Sequence, residues 1–445
     1  MIDLRDVEVQ QGWTFVAMPA PVVPAAAIVA AFRSAPLVAW SSRDLTLVGV
    51  GVAHELRGRG DARWAELVAG AKQIGGTGVI RPRLVGGLAF VPGAADAAPW
   101  TGFGDAWFAL PRWSYIREGN EAHLVLAVDP AGRSESGRLH SRAQSARHDW
   151  HGELAAFRAA FAGGFQPRPQ PPMTALDRGD TAAWRAQVKA ITDAIARGDH
   201  KKIVAARSAI VSLAGEARAA DLLAELDARH DQCVRVLVRP PGAGALIAAT
   251  PERLVRLDGL EAQCDALAGS HVRTDGANSP DGAGELLASG KDRREHHIVV
   301  QAIVSALAGL GADIRVPDAP VIRALRHVLH LHTPISATLH TPRHVLELAA
   351  ALHPTPAVGG TPTRNATRWI AEHEVPRGWY ASPVGWFDLD GNGELAVAIR
   401  SGVLAGERAH LWAGAGIVAG SDPDRELAET ELKLRAMLGA LGVAA

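Results

Sequence analysis

The stretch from residue 394 to residue 433 limits the possible folds more than any other part of the sequence. It reads as two β-strands joined by a turn at Gly406, followed by a helix. The helix begins at Ser421 or Asp422, with Pro423 in its first turn, where proline fits best. An antiparallel pair of strands leading into a long helix is typical of an α+β protein.

This predicted helix carries acidic side chains beside an apolar stripe. Glu426, Glu429 and Lys433 fall at positions i, i+3 and i+7, so they share one face. The apolar stripe, which predicts contact with the core, consists of Leu427, Leu434, Met437, Leu438 and Leu441. Two acids so close together indicate an ion-binding site, provided that other parts of the chain supply partners.

Composition excludes several classes of function. The net charge is −1 over 445 residues, so no polybasic surface points to nucleic acid or to an anionic membrane. The first residues are acidic where a signal peptide is basic and then apolar, and no run of about 18 apolar residues predicts a membrane span. Cys233 and Cys264 are too few for a disulfide framework. We therefore expect a cytoplasmic protein.

The chain divides into three parts. Residues 1–165 read as a β-rich region with two hairpins, and the prolines between residues 165 and 173 predict a linker over 166–179. Residues 180–445 form the third part, which begins with a helix capped by Asp180 or Thr181. In this part the pattern predicts strands over 202–213, 234–239 and 245–250, and helices over 284–311 and 321–332. Because helices and strands do not alternate regularly, an antiparallel α+β fold is favoured over a doubly wound sheet.

Two metal-like motifs fail on inspection. Residues 388–393 (DLDGNG) match the start of a calcium-binding EF-hand loop, but Ile399 stands where a bidentate glutamate is required. A hairpin turn is the better interpretation. His327, His330 and His332 lie close together, yet they lack the spacing and the cysteine partners of a zinc site.

A second acidic pair makes an ion site more credible. Asp292 and Glu295 are again three residues apart on a predicted helix, and a single such pair is usually a solvated face. Four carboxylates brought into one pocket would repel each other by on the order of several kcal/mol. A hard divalent cation such as Mg²⁺ would relieve that repulsion.

Other polar residues stand at the ends of predicted strands. Lys202 begins an apolar strand, and Glu252 follows another directly after Pro251; each is an ordinary exposed residue when considered alone. Carboxylate recognition needs arginine and oriented N–H groups. Residues of that kind are Arg400, at the end of a strand, with Tyr380, Gly414 and Gly416 near it in sequence.

Taken together and in this order, these segments resemble the chorismate-utilising enzymes, which include isochorismate, salicylate, anthranilate and aminodeoxychorismate synthases. The matching blocks cover most of residues 180–440 and are KIVAAR, ATPERL, ALAGSHVR, KDRREHHIVV, LHPTPAVGGTP, RGWYASPVGW, ELAVAIRS and AGAGIVAGSDPDRELAETELK. The resemblance implies a large α+β fold, built on two packed antiparallel sheets with helices outside, and a magnesium-dependent chorismate site.

Within the family, the chain resembles the isochorismate synthases most. Lys202 matches the lysine that isochorismate and salicylate synthases use as a base, where the ammonia-using anthranilate enzymes typically carry glutamine. Ala268 replaces a lysine of many aminodeoxychorismate synthases. The chain departs from common family residues at Ala205, His271 and Leu427. The resemblance implies no glutamine amidotransferase subunit, and a monomer is expected.

The resemblance also implies a role for each candidate residue. Lys202 would activate the water that attacks C2 of chorismate, and Glu252 would protonate the C4 hydroxyl as it leaves. Magnesium would be bound by Glu295 and Glu429, with Asp292 and Glu426 acting through water, and would hold the ring carboxylate. The residues that would bind the rest of the substrate are Tyr380, Arg400, Gly414, Gly416, His353, Ala357 and Lys433.

Two alternatives to this interpretation stay open. A salicylate synthase shares Lys202 and Glu252 and adds elimination of pyruvate after the isomerisation. A homologue that binds chorismate without catalysis belongs to a different functional class. The sequence leaves the pathway, menaquinone or siderophore biosynthesis, undecided.

Overall fold

Antiparallel strands make up the framework of the protein. The computed structural model describes residues 12–78, 80–129, 150–273, 281–326 and 328–443. The strands in these ranges are β1 Trp13–Pro19, β2 Leu37–Ser41, β3 Leu45–Gly58, β4 Gly76–Gly78, β5 Arg83–Leu88, β6 Ala106–Glu118, β7 Glu121–Val128, β8 Met173–Asp177, β9 Lys202–Leu213, β10 Val234–Arg239, β11 Ala245–Thr250, β12 Arg253–Asp258, β13 Glu261–Val272, β14 Ala312–Arg315, β15 Val321–Ala324, β16 Val328–Leu339, β17 Gly360–Thr361, β18 Pro383–Asp388, β19 Gly393–Val397, β20 Ser401–Ala405 and β21 Arg408–Ile417.

Helices flank these strands. Within the described ranges they are α1 Ala25–Ala31, α2 Arg63–Ala71, α3 Trp150–Ala162, α4 Thr181–Ala196, α5 Ala219–Arg229, α6 Asp281–Ala288, α7 Gly290–Gly309, α8 Val345–Leu352, α9 Thr363–His373 and α10 Pro423–Ala440. No helix in this part of the chain is long and apolar enough to cross a membrane.

The strands branch at β6 into two arms. β6 pairs with β3 on one side, and with β5 and then β7 on the other. The first arm runs from β3 through β2, β10, β11, β20 and β21 to β9. The second arm runs from β5 through β18, β19, β12 and β13 to β16. The predicted α+β fold is confirmed, and its two antiparallel layers are joined through β6 into one connected sheet.

Two apolar cores lie on the faces of these arms. Successive side chains of β10 point to opposite faces of the sheet, so Val236 and Val238 belong to one core and Leu237 to the other. The first core combines buried side chains of both arms with those of α7 and α8. The second core packs α1, α5 and the C-terminal half of α10 against the first arm. The two cysteines are buried, one in each core.

Several predicted elements are confirmed. The hairpins β2–β3 and β6–β7 form as expected, and so do β9, β10 and β11. Asp180 caps α4 by accepting a hydrogen bond from the Ala182 N–H. Asp422 caps α10 by accepting from two backbone N–H groups, with Pro423 in the first turn. The DLDGNG turn joins β18 to β19, where the Asp388 carboxylate accepts backbone N–H groups of its own turn.

Three predictions differ from the structure. The segment 321–332, predicted as a helix, forms β15 and the start of β16, with His327 outside the described residues. The second half of the predicted linker 166–179 forms β8, which pairs with β9. The strand expected from residue 394 onward is interrupted by residues 398–400, so that β19 belongs to the second arm and β20 to the first. In each case pairing with a distant strand decides the local conformation.

The β-rich N-terminal part is continuous with the rest of the fold. β2 pairs with β10, and β5 pairs with β18, so each arm crosses from N-terminal into C-terminal sequence. Residues 1–11 and 130–149 of the predicted region 1–165 lie outside the described residues.

Candidate active site

A cavity of about 380 Å³ is lined by both arms and by the helices α7 and α10. Eleven of the thirteen predicted site residues line it, namely Glu252, Asp292, Glu295, Ala357, Tyr380, Arg400, Gly414, Gly416, Glu426, Glu429 and Lys433. Lys202 and His353 are the other two. His353 is half-buried and its Nε2 atom lies 3.1 Å from the Phe90 carbonyl oxygen, so it belongs to the packing beside the cavity.

Two crossovers between the arms hold Glu252 and Arg400. Glu252 lies where the chain passes from β11 to β12, and Arg400 where it returns from β19 to β20. Val397 N–H donates to the Glu252 carbonyl at 3.0 Å, and Ala249 N–H donates to the Arg400 carbonyl at 3.1 Å. The backbone of Arg400 has a φ of 49°, which residues other than glycine rarely adopt. Strained backbone of this kind is concentrated at functional sites.

A histidine fixes the guanidinium of Arg400. The Arg400 Nη2 atom lies 2.8 Å from His330 Nε2. A guanidinium only donates, so Nε2 accepts and the ring proton is on Nδ1. That atom lies 3.1 Å from both the Gly269 carbonyl oxygen and Ser270 Oγ. Burial first, and then the Arg400 charge, holds the pKa of His330 well below its usual range, so the ring is neutral.

Local backbone geometry makes this contact possible. β13 has a register shift against β16 between Ala268 and Ser270. Gly269 lies at the shift with a φ of 72°, in the left-handed region that favours glycine. Its carbonyl oxygen is thereby available to His330.

Tyr380 lines the same side of the cavity. Burial raises the pKa of its hydroxyl, so the phenol keeps its proton. Its ring is stacked on Trp412 with centroids 6.2 Å apart. A Cβ atom added at Gly414 would lie 3.1 Å from the Tyr380 hydroxyl, so the glycine leaves the room that the phenol needs. We call Arg400, His330 and Tyr380 the arginine end.

Four carboxylates on α7 and α10 form a second group in the cavity lining, which we call the carboxylate end. Each has its own partner: Glu295 lies 2.8 Å from Lys202 Nζ, Glu429 lies 2.7 Å from Lys433 Nζ, Glu426 lies 3.4 Å from Lys291 Nζ, and Asp292 accepts from the Ser289 hydroxyl. Lys433 also donates to the Gly414 carbonyl oxygen at 2.8 Å. The helical spacing noted in the sequence therefore brings both acidic pairs to one cavity.

Lys202 lies directly behind the cavity wall. A Cβ atom at Gly416 would be 2.9 Å from Lys202 Cε and 2.6 Å from Glu295 Oε1, so a larger residue at this position would displace the ion pair. Burial works to raise the pKa of Glu295, but the Lys202 ammonium outweighs it and brings the pKa below its ordinary value. Glu295 is therefore an ionised carboxylate held by a buried lysine.

Glu252 has the opposite protonation state. Burial first, and then the nearby Asp265 carboxylate, raises its pKa to about 8. Asp265 itself stays ionised, because His332, 3.0 Å away, and neighbouring arginines outweigh its burial and lower its pKa. Glu252 therefore carries a proton at neutral pH and can act as a general acid.

The carboxylate end has the donor chemistry that magnesium requires. Burial and then the Glu429 charge raise the pKa of Glu426, which shows that the two carboxylates are close enough to repel each other. Mg²⁺ takes oxygen ligands and needs only one or two protein carboxylates beside substrate and water. In the described part of the chain, no three ligand-type side chains form a ready-made metal cluster. The oxygen donors fit the ion, and lysines pair with three of the four carboxylates in the present arrangement.

Two residues of the cavity wall are not evident from the sequence. One is His330, described above. The other is Arg377, which donates to the Val358 carbonyl oxygen at 2.8 Å, the Val204 carbonyl oxygen at 2.7 Å and Glu374. Arg377 thus ties β9 to the loop that carries Ala357. Its signal was its position in the RGWYASPVGW block, three residues before Tyr380.

Comparisons with known proteins identify the family. A family model described as "Chorismate binding enzyme" matches residues 16–442, and the chain belongs to that family. It is 37% identical over 424 residues, 92% of this chain and 85% of the relative, to the salicylate biosynthesis isochorismate synthase of Pseudomonas aeruginosa. It is 34% identical over 368 residues, 82% of this chain and 75% of the relative, to the isochorismate synthase MenF of Bacillus subtilis.

A solved structure of an isochorismate synthase has a similar fold. The menaquinone-specific isochorismate synthase of Escherichia coli matches with a TM-score of 0.80 and 25% identity, covering 98% of this chain and 97% of that one.

Proposed function

We propose that the protein is an isochorismate synthase, an isomerase that adds water at C2 of chorismate and removes the C4 hydroxyl. The observation that carries the proposal is the buried Glu252 carboxyl, which has a pKa of about 8 and lines a cavity with an arginine end and a carboxylate end. Loss of a hydroxyl group needs a proton donor, and an ordinary glutamate is ionised at neutral pH. The isochorismate synthases among the relatives support the same activity.

Lys202 and Glu252 divide the proton transfers in this proposal. Lys202 is proposed to take a proton from the attacking water, and Glu252 to give its proton to the departing C4 oxygen. One proton is gained and one is lost by the protein, so the substrate keeps its composition. Gly416 is important here, because the absence of a side chain lets Lys202 act through that part of the wall.

The two ends of the cavity would hold the two carboxylates of chorismate. Arg400, Tyr380 and the N–H groups of Gly414 and Gly416 are proposed to bind the enolpyruvyl carboxylate. Lys433 and Ala357 are proposed to contact the rest of the substrate, with His353 packed beside the cavity. A charged hydrogen bond from a fixed arginine gives both affinity and orientation.

Magnesium is the proposed cofactor. Glu295 and Glu429 would hold it directly, with Asp292 and Glu426 acting through water. When bound, it would neutralise and orient the ring carboxylate of the substrate. The chain's own carboxylates supply the charge that attracts the ion to this end.

The proposed reaction uses water, so we propose that no glutamine amidotransferase subunit takes part. The names of the relatives include salicylate biosynthesis and menaquinone. We propose that the isochorismate made here enters menaquinone or siderophore biosynthesis.

One assay tests the activity. Purified protein is incubated with chorismate and Mg²⁺, and the products are separated by chromatography. Isochorismate as the only product supports the proposal, whereas salicylate with pyruvate identifies a salicylate synthase. Unchanged chorismate, with binding detected by calorimetry, identifies a non-catalytic homologue. A Glu252→Gln variant serves as the matched control, since it keeps the shape of the side chain and removes the acidic proton.

A further inference from the structure

The three ion pairs of the carboxylate end differ in how firmly the lysine is held. Lys202 has only 1% of its side chain exposed, and Lys433, at 22%, has a second bond to the Gly414 carbonyl oxygen. Lys291 is 48% exposed, and its 3.4 Å contact with Glu426 is the longest of the three. Lys291 is therefore the one of the three whose ammonium can move into water at little cost.

Glu426, the partner of Lys291, is buried, whereas Lys291 is half-exposed. The Glu426 side chain is only 5% exposed, and it lies near the Glu429 carboxylate. A buried carboxylate without a counter-ion is unfavourable, so Glu426 needs a cation when no metal is bound. Lys291 supplies that cation from the first turn of α7.

A divalent ion and an ammonium compete for the same carboxylate. An ammonium that stays within about 4 Å of a carboxylate near Mg²⁺ is repelled by the metal charge. Metal binding at this end thus requires the Glu426–Lys291 contact to loosen. The free energy lost with that contact makes the free energy of metal binding less favourable.

We propose that Lys291 is an exchangeable internal counter-ion, which neutralises Glu426 in the metal-free protein and is displaced when a divalent cation binds. The inference rests on the proposed metal site and adds a residue that sets its affinity. Lys291 is a positioning residue in this role, because it acts through Glu426.

Isothermal titration calorimetry of the full chain with MgCl₂ tests this inference. We expect Lys291→Met to tighten Mg²⁺ binding about fivefold, as the loss of a half-exposed ion pair implies. Lys291→Arg keeps the cation and should stay within about twofold of the wild type. Arg425→Met is the matched control, because it removes a positive charge from the lining of the same cavity. It should change the affinity by less than about twofold.

The outcomes separate this inference from the function it rests on. Unchanged or weaker binding by Lys291→Met, with normal binding by the wild type, overturns the role of Lys291 and leaves the metal site intact. Equal tightening by Lys291→Met and Arg425→Met also overturns it, since the affinity would then depend only on the total positive charge around the cavity. A wild-type chain that binds no Mg²⁺ at millimolar concentration overturns the metal site itself, and the product assay then tests the isomerase proposal independently. Circular dichroism spectra confirm that the variants fold.

Discussion

The arginine end and the carboxylate end of the cavity are constructed in different ways. At the arginine end, the guanidinium of Arg400 is held by a neutral histidine, and its backbone lies in a strained crossover between the two arms. At the carboxylate end, acidic side chains on two helices are paired with lysines of graded exposure. One end is fixed before substrate arrives, and the other contains one loosely held ion pair, Glu426–Lys291, that we propose is exchangeable.

This difference separates two tasks of the site. A fixed group orients the substrate without having to be ordered on binding, which favours rate and specificity. At the carboxylate end, the proposed exchange of Lys291 would let a cation enter and leave. Mutations at the arginine end should therefore lower kcat/KM strongly, whereas conservative changes at the carboxylate end should alter metal affinity.

The largest effect is expected for Arg400→Met. Removing one partner of a buried, charged hydrogen bond costs about 3 kcal/mol, so kcat/KM for chorismate should fall at least a hundredfold. Steady-state kinetics under saturating Mg²⁺ measure this. Arg425→Met, which also removes a cavity-lining arginine, should retain activity within about threefold. Comparable losses in the two variants would contradict the special position of Arg400.

A smaller loss is expected for His330→Leu. The guanidinium then lacks its acceptor, and we expect kcat/KM to fall by about 10- to 50-fold with little change in Mg²⁺ affinity. His330→Gln offers an amide oxygen as acceptor and should recover part of the activity. If His330→Gln were as impaired as His330→Leu, the histidine would have a role other than accepting from Arg400.

At the carboxylate end, Gly416→Ala should act mainly on stability. The new Cβ atom would press on Glu295 and on Lys202, and overpacking of this kind costs about 1–3 kcal/mol. Gly414→Ala is the matched variant, since the nearest atoms to its Cβ are 3.0 Å away rather than 2.6 Å. Chemical denaturation of both proteins measures the difference. Equal stability of the two variants would show that the ion pair can shift freely.

Glu252 makes the stability of the protein depend on pH. Burial raises its pKa much more than the charges of Lys202 and Arg400 lower it. Its folded pKa of about 8 exceeds the ordinary value of about 4.3. Between these values the folded state holds a proton that the unfolded chain has released, so the stability that Glu252 contributes is complete below about pH 4 and is lost as pH rises to about 8.

The free energy of unfolding of the wild type, minus that of Glu252→Gln, should therefore fall by about 1 kcal/mol per pH unit between about pH 5 and 7. Denaturant titrations at three pH values measure this slope. A difference that does not change with pH would mean that Glu252 is ionised in the folded protein. The alkaline limb of the pH–rate profile should lie near pH 8 for the same reason.

The sequence predicts the carboxylate end of the cavity better than the arginine end. The acidic pairs on α7 and α10 were visible because a helix places i and i+3 on one face, which is a local property. That both helices meet at one cavity came from the family resemblance. The cap of α10 and the strands β9 to β11 were also predictable, because their signals lie within a few residues.

The arginine end was harder to predict, since its geometry depends on distant strands. Because the sequence pattern predicts a helix over residues 321–332, it gives no sign that His330 faces Arg400. In the structure it lies on β16 opposite the register shift at Gly269, and it meets an arginine 70 residues away. Neither the shift nor the break at Arg400 has a periodic signal. β8 was missed for a related reason, because the prolines before it outweighed a short strand.

The branching of the sheet at β6 has a consequence for how the protein can be divided. The part that resembles the family most closely, residues 180–440, contains both crossovers, yet β2 and β5 cover the edges of β10 and β18. A fragment without the N-terminal third would expose two unpaired strand edges, which promote aggregation. The N-terminal third of the chain is thus an internal scaffold, and truncation studies should keep it.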